Sequence, residues 1–109
     1  MSDDEPTREA IDHSTGPVLL EFGAKWCGHC RAIAPQVAAV LKKYPEVRHI
    51  QVEDGPGQPL GRSFGVKLWP TFVFLQDGRE VARAVRPGVG EVRKGLDAIA
   101  GTGDQAFSP

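Results

Sequence analysis

Two kinds of apolar pattern alternate along the chain. Val18-Leu19-Leu20-Glu21-Phe22 is an almost unbroken apolar run behind Thr15-Gly16-Pro17. It predicts a buried central strand, with Glu21 the one intruder. From Gly28 to Tyr44 the apolar residues Ile33, Val37, Val40, Leu41 and Tyr44 fall on one helical face. Pro35 lies inside that helix and predicts a kink, and Pro45 predicts its end. Val47 to Glu53 reads as a strand, Glu53-Asp54-Gly55-Pro56-Gly57 as a loop, and Pro59 to Phe64 as one or two helical turns. Thr71-Phe72-Val73-Phe74-Leu75 is a second buried strand, rich in β-branched and aromatic residues. Asp77-Gly78 predicts a tight hairpin turn, after which Glu80 to Val85 returns antiparallel. The charges of Arg79, Glu80 and Arg83 suit an edge strand guarded against aggregation. Val89, Val92, Leu96 and Ile99 mark a final helix. Pro6 to His13 can form a short first one, with Pro6 near its first turn and Ile11 inward.

The first two strands enclose a helix and are expected to be parallel, through a right-handed crossover. The last two form a hairpin. The expected fold class is therefore α/β, a mixed sheet of about four strands with helices on both faces. Residues 1–5 are acidic and lack apolar anchors, so a flexible N-terminus is expected there, with one domain over 6–101 and a flexible tail over 102–109.

The 109-residue length fits one small domain, and a net charge of −1 leaves no electrostatic footprint for nucleic acid or an anionic membrane. Met1-Ser2-Asp3-Asp4-Glu5-Pro6 lacks the basic start and apolar stretch of a secretory signal, and no apolar run approaches the ~20 residues of a membrane span. A monomer in the cytoplasm is the expectation.

The two cysteines sit at Cys27-Gly28-His29-Cys30, preceded by Trp26, where a predicted strand gives way to a helix. In a reducing compartment such a pair is catalytic or metal-binding rather than a permanent staple. A structural zinc site needs about four ligands. Only His29 and the more distant His13 and His49 could join the cysteines, and there is no second CxxC, so redox chemistry is favoured and no metal is expected. Unpaired backbone N–H groups and the helix dipole stabilise a thiolate at the helix start. Cys27, expected at the exposed mouth of the turn, should have a lowered pKa and attack a substrate disulfide. Cys30, one turn further in, should stay protonated longer and resolve the mixed disulfide. Gly28 would permit the tight turn. No organic cofactor is implied, since the dithiol itself carries the electrons.

The segment Val18 to Pro35, VLLEFGAKWCGHCRAIAP, resembles the active-site segment of the thioredoxin family, and Trp69-Pro70-Thr71 resembles that family's cis-proline loop. The resemblance covers about residues 6 to 100. It implies that Pro70 is cis and lies against the dithiol, that the Trp69 backbone pairs with an extended substrate strand, and that Trp69, Pro70 and Thr71 belong to the substrate groove. It also implies that Glu21 is the carboxylate beneath Cys30, able to take its proton through a water as that thiol becomes a nucleophile. Pairing of Glu21 with Lys25 or His49 is the alternative. His29 stands where protein disulfide isomerases have His and thioredoxins usually have Pro. It can stabilise the Cys27 thiolate and make the disulfide more oxidising, or it can be an idle surface residue. Trp26 would shield the site and contact substrate, or simply pack on the fold.

Three departures from the family stand out. Gly23 replaces a common second Trp. The chain before the first central strand is too short for the usual first edge strand, which is expected to be absent or vestigial. Arg86, in Val85-Arg86-Pro87-Gly88, brings bulk and positive charge near the site, favouring an acidic substrate segment unless it is a solvated rim charge. The function implied is a thiol–disulfide oxidoreductase acting on disulfide-containing client proteins and recycled by a thioredoxin reductase or the glutathione system. The alternatives are an oxidase or isomerase in an oxidising compartment, or a partner-binding, redox-sensing module.

Overall fold

The sheet is built from two apolar runs and two flanking strands. In the computed structural model, which describes residues 5–105, the elements are α1 (Arg8–Asp12), β1 (Pro17–Gly23), α2 (Gly28–Leu41), β2 (Arg48–Glu53), α3 (Pro59–Ser63), β3 (Thr71–Gln76), β4 (Arg79–Val85) and α4 (Val89–Gln105). The strand order is β2-β1-β3-β4, with β1 and β2 parallel and the other pairings antiparallel. The two apolar runs, β1 and β3, take the central places because their side chains find cover on both faces. The more polar β2 and β4 take the edges. Among the described residues no strand precedes β1.

The two-residue period of the strands sorts the core into two layers. Leu19, Phe72 and Phe74 pack against Ile33 and Val37 of α2 and Val92, Leu96 and Ile99 of α4. Val18, Leu20, Phe22, Val73 and Leu75 face Ile11 of α1, Leu60 of α3 and Phe64 at its end. Helix α4 comes so close to β3 that a Cβ at Gly95 would lie 2.4 Å from the Phe74 ring. The alternation places Glu21 on the Leu19 side, beneath α2.

Several boundaries differ from the expectation. Thr7 caps α1 through its hydroxyl, which accepts from Ala10 N at 3.0 Å, so Pro6 precedes the cap instead of sitting in the first turn. Helix α2 ends at Leu41, short of Tyr44, in two tighter turns in which Lys43 N bonds Val40 O and Tyr44 N bonds Leu41 O. Pro45 disfavours helical backbone at Tyr44 just before it. Residues 102–105, expected in a loose tail, continue α4, since an established helix gains one hydrogen bond for each residue added. Glu5, placed with the flexible N-terminus, accepts a hydrogen bond from Leu60 N at 3.0 Å. The expectations for residues 1–4 and 106–109 lie outside the described residues. At the hairpin, Asp77 and Gly78 have φ of 52° and 80°, the left-handed pair that a two-residue turn requires.

Candidate active site

The carboxyl ends of the parallel strands β1 and β2 open on the same edge of the sheet, where ligand sites of α/β sheets collect. From β1 the chain passes through Ala24-Lys25-Trp26 to Cys27, the N-cap of α2. The Cys27 sulfur does what a serine or aspartate oxygen does at other caps, accepting from Cys30 N at 3.2 Å. Burial pushes the Cys27 thiol up, but the hydrogen bond from the Cys30 thiol, the backbone N–H groups of Cys30 and His29, and the Arg86 charge outweigh it, and the pKa is lowered. Cys30 goes the other way. Burial, its hydrogen bond to Cys27 and the charges of Cys27 and Glu21 push it up to about 11, against one lowering contact with the Ala24 backbone. One thiol is poised as nucleophile and its neighbour holds its proton.

Two expectations about this turn are corrected. Cys27 is not at an exposed mouth: it is 6% exposed, packed with Ala24, Cys30 and Trp69. Gly28 is not demanded by the turn, since its φ lies outside the left-handed region and a Cβ there would meet nothing within 4 Å. The glycine that matters is Gly23, where a Cβ would stand 2.8 Å from Cys30 Sγ. The Cys30 thiol occupies the space that a side chain at residue 23 would fill.

Glu21 is 7% exposed and accepts a hydrogen bond from His49 Nε2 at 2.7 Å. Its partner is therefore His49 rather than Lys25. Glu21 and Cys30 line one cleft of about 330 Å³, with Gly23, Lys25 and Gln51 among its other walls. That volume is room for several waters at roughly 30 Å³ each.

The second wall of the site is the loop before β3. The Trp69–Pro70 peptide is cis, and Pro70 is buried. The Trp69 carbonyl lies 3.9 Å from Cys27 Sγ and accepts from Arg86 Nε at 2.9 Å. The Trp69 indole donates to Asp54 Oδ2 at 2.9 Å and meets the edge of Trp26, ring centroids 5.1 Å apart. Trp26 is itself 71% exposed, so it rests on Trp69 with most of its surface open to solvent. Thr71, expected in the groove, is instead buried, its hydroxyl donating to the Leu68 carbonyl at 2.6 Å. Its hydroxyl shapes the loop. His29 is exposed and borders a small pocket with Pro70 and Arg86. His13 is remote, its Nδ1 paired with Glu9 O at 2.8 Å. Among the described residues no group of three or more His, Cys, Asp or Glu could hold a metal.

Asp54 was not singled out in the sequence. Its position just past β2, on the edge where Cys27 also emerges, is the signal that could have found it. It packs so closely on Gly61 that a Cβ there would lie 2.3 Å from Asp54 Oδ1.

A lowered and a raised thiol in one turn at the start of a helix, beside a cis-proline loop, define a thiol–disulfide oxidoreductase on a thioredoxin-like fold. The chain belongs to the thioredoxin family, whose model, described as Thioredoxin, matches residues 2–96. It is similar to thioredoxin 2 of Pseudomonas aeruginosa PAO1, solved in its reduced form: 56% identity, a TM-score of 0.80, and coverage of 90% of this chain and 92% of that one. Thioredoxin Asp f 28 of Aspergillus fumigatus is 40% identical over 72 residues, 66% of this chain and 67% of that protein. Protein disulfide-isomerase A2 of Pongo abelii is 48% identical over 65 residues, 56% of this chain but 12% of that much longer protein.

Proposed function

We propose that the protein reduces disulfides of client proteins, with Cys27 as nucleophile, Cys30 as resolving thiol and Glu21 as proton acceptor. The Cys27 thiolate attacks one sulfur of the client disulfide, forming a mixed disulfide and expelling the other sulfur as a thiolate. Cys30 then gives up its proton to Glu21 through water in the shared cleft and attacks Cys27 Sγ. The second client thiolate leaves, and the Cys27–Cys30 disulfide remains. The protein loses two electrons and the client gains them, and protons from solvent complete the two client thiols.

The observation that carries this reading is the placement of the two thiols in the first turn of α2, Cys27 Sγ accepting from Cys30 N at 3.2 Å, with the Cys27 pKa lowered and that of Cys30 pushed up to about 11. Cys27 is the better leaving group as well as the better nucleophile, so the mixed disulfide can proceed in either direction. His29 aids Cys27 through its backbone N–H, and its side chain belongs to the client-facing rim with Trp26, Trp69 and Pro70. A cytoplasmic setting, with a thioredoxin reductase or glutathione returning the disulfide to the dithiol, suits a net reductase.

The test is the reduction potential of the Cys27–Cys30 pair, measured by equilibration in defined thiol buffers with Trp26 and Trp69 fluorescence as readout. A value near about −270 mV supports a reductase, whereas about −180 mV or higher would transfer the assignment to oxidase or isomerase chemistry. Insulin reduction by wild type and by C27S and C30S provides the activity arm. Reduction surviving in C27S would overturn the assignment of the nucleophile.

A further inference from the structure

Beside the nucleophile lies a cation without an acidic partner among the described residues. Arg86 follows β4 with φ of 49°, a left-handed backbone uncommon for a residue with a side chain. Its backbone N–H donates to the Pro70 carbonyl at 2.9 Å, which fixes the residue against the cis-proline loop. Its Nε donates to the Trp69 carbonyl, the same oxygen that faces Cys27 Sγ. The ion pairs found among the described residues are Arg8–Asp12, His49–Glu21 and Arg83–Glu80, and Arg86 is in none of them. The guanidinium is thus held by one nitrogen, while its terminal N–H groups, the pair that grips a carboxylate in a fork, keep their capacity to donate. Arg86, His29 and Gln36 supply the polar wall of a pocket of about 160 Å³, closed by Ile33, Pro70 and Pro87. That is room for one carboxylate and a few waters.

We propose that this pocket is a carboxylate subsite, and that Arg86 makes the dithiol select disulfides carrying an anionic group close to the sulfur under attack. The inference rests on the reductase reading and adds a substrate class to it. The Trp69 carbonyl lies beside Cys27 Sγ and also holds Arg86 Nε, so a carboxylate a few bonds from a sulfur at Cys27 can meet the Arg86 fork. Gln36 and His29 can donate further hydrogen bonds to it. A cationic group in the same place meets Arg86 with like charge. The carboxylate can come from an Asp or Glu of a client chain or from a small acidic disulfide, and the chemistry recognised is the same.

The test is single-turnover oxidation of the reduced protein by three small disulfides: dithiodipropionate (anionic), bis(2-hydroxyethyl) disulfide (neutral) and cystamine (cationic). The anionic-to-neutral rate ratio should fall about two- to fivefold in R86Q, the range expected of one solvent-exposed charge pair, and return only in part in R86K, which restores the charge but not the fork. A change of Cys27 reactivity alone would alter all three rates together and leave that ratio unchanged. Q36E, which keeps Arg86 but places an acid in the pocket, should lower the ratio too and covers the case in which R86Q fails to fold. Two peptide disulfides differing by Glu or Gln beside the cysteine then separate the sources: a peptide preference abolished by R86Q assigns the subsite to clients, and a preference confined to the small disulfide assigns it to small acidic disulfides. A ratio unmoved by both R86Q and Q36E overturns the subsite and leaves the reductase reading intact. Failure of the wild type to reduce insulin as well as the three small disulfides overturns the reductase reading itself.

Discussion

Replacing Gly23 by alanine puts a methyl group 2.8 Å from Cys30 Sγ, inside the 3.4 Å at which ordinary contact begins. The backbone at residue 23 lies outside the left-handed region, so alanine brings no conformational strain there, and only the contact changes. The neighbour that must yield is a thiol on a rotatable bond, so the sulfur swings away by about 0.6 Å, the shortfall between the two distances. Resolution of the mixed disulfide needs Cys30 Sγ aligned on Cys27 Sγ, and a misplacement of 1 Å can cost on the order of a hundredfold. A shift of about half that size should slow resolution roughly tenfold, or about 1.4 kcal/mol of barrier. The first attack uses Cys27, which Gly23 does not touch, and should be unchanged. Stopped-flow mixing with a disulfide substrate, acid quench, alkylation and mass analysis would follow both steps. G23A should accumulate a mixed disulfide on Cys27 that the wild type does not. Resolution at the wild-type rate would refute the claim that residue 23 is kept bare to seat the resolving thiol.

The opposed thiol pKa values predict that site-resolved iodoacetamide alkylation has its midpoint for Cys27 below that of an ordinary free thiol, and for Cys30 at about 11. Between about 8.5 and 11 the folded protein keeps a Cys30 proton that the unfolded chain has lost, so the reduced protein loses stability as pH rises through that window. Below about 8.5 Cys27 acts in the opposite sense, its stabilising effect shrinking as pH falls through its lowered folded pKa. Urea melts of reduced wild type against C30S should show a steeper upper slope in the wild type, since the raised Tyr44 pKa leaves both proteins a shared slope at the top of that window. E21L removes a buried carboxylate whose partner His49 is partly exposed, so stability should hold or rise by about 1 kcal/mol. Resolution should meanwhile slow by about a hundredfold or more if Glu21 takes the Cys30 proton, which the same quench assay would read. D54A deprives the Trp69 indole of its acceptor and should cost about 1 kcal/mol in urea melts. It should raise KM for a protein disulfide while leaving Cys27 alkylation unchanged.

Local patterns carried much of this molecule. The two apolar runs read as central strands because full burial shows as continuous hydrophobicity. Asp77-Gly78 read as a hairpin because few other residue pairs accept two left-handed φ values in succession. The dithiol at a strand-to-helix junction announced thiolate chemistry because the helix N-terminus supplies it from neighbouring backbone, here the N–H groups of His29 and Cys30. Tertiary structure decided what depends on distant segments. His49 reaches Glu21 across 28 positions, through the register of β2 on β1. Asp54 holds Trp69 across 15, and Arg86 reaches the Trp69 carbonyl across 17. No periodicity encodes such meetings, because each depends on where two separately formed elements come to lie. The burial of Cys27 and the seating of Cys30 over Gly23 have the same origin: close packing of loop against helix sets which atoms touch, and sequence pattern sets only which face each presents.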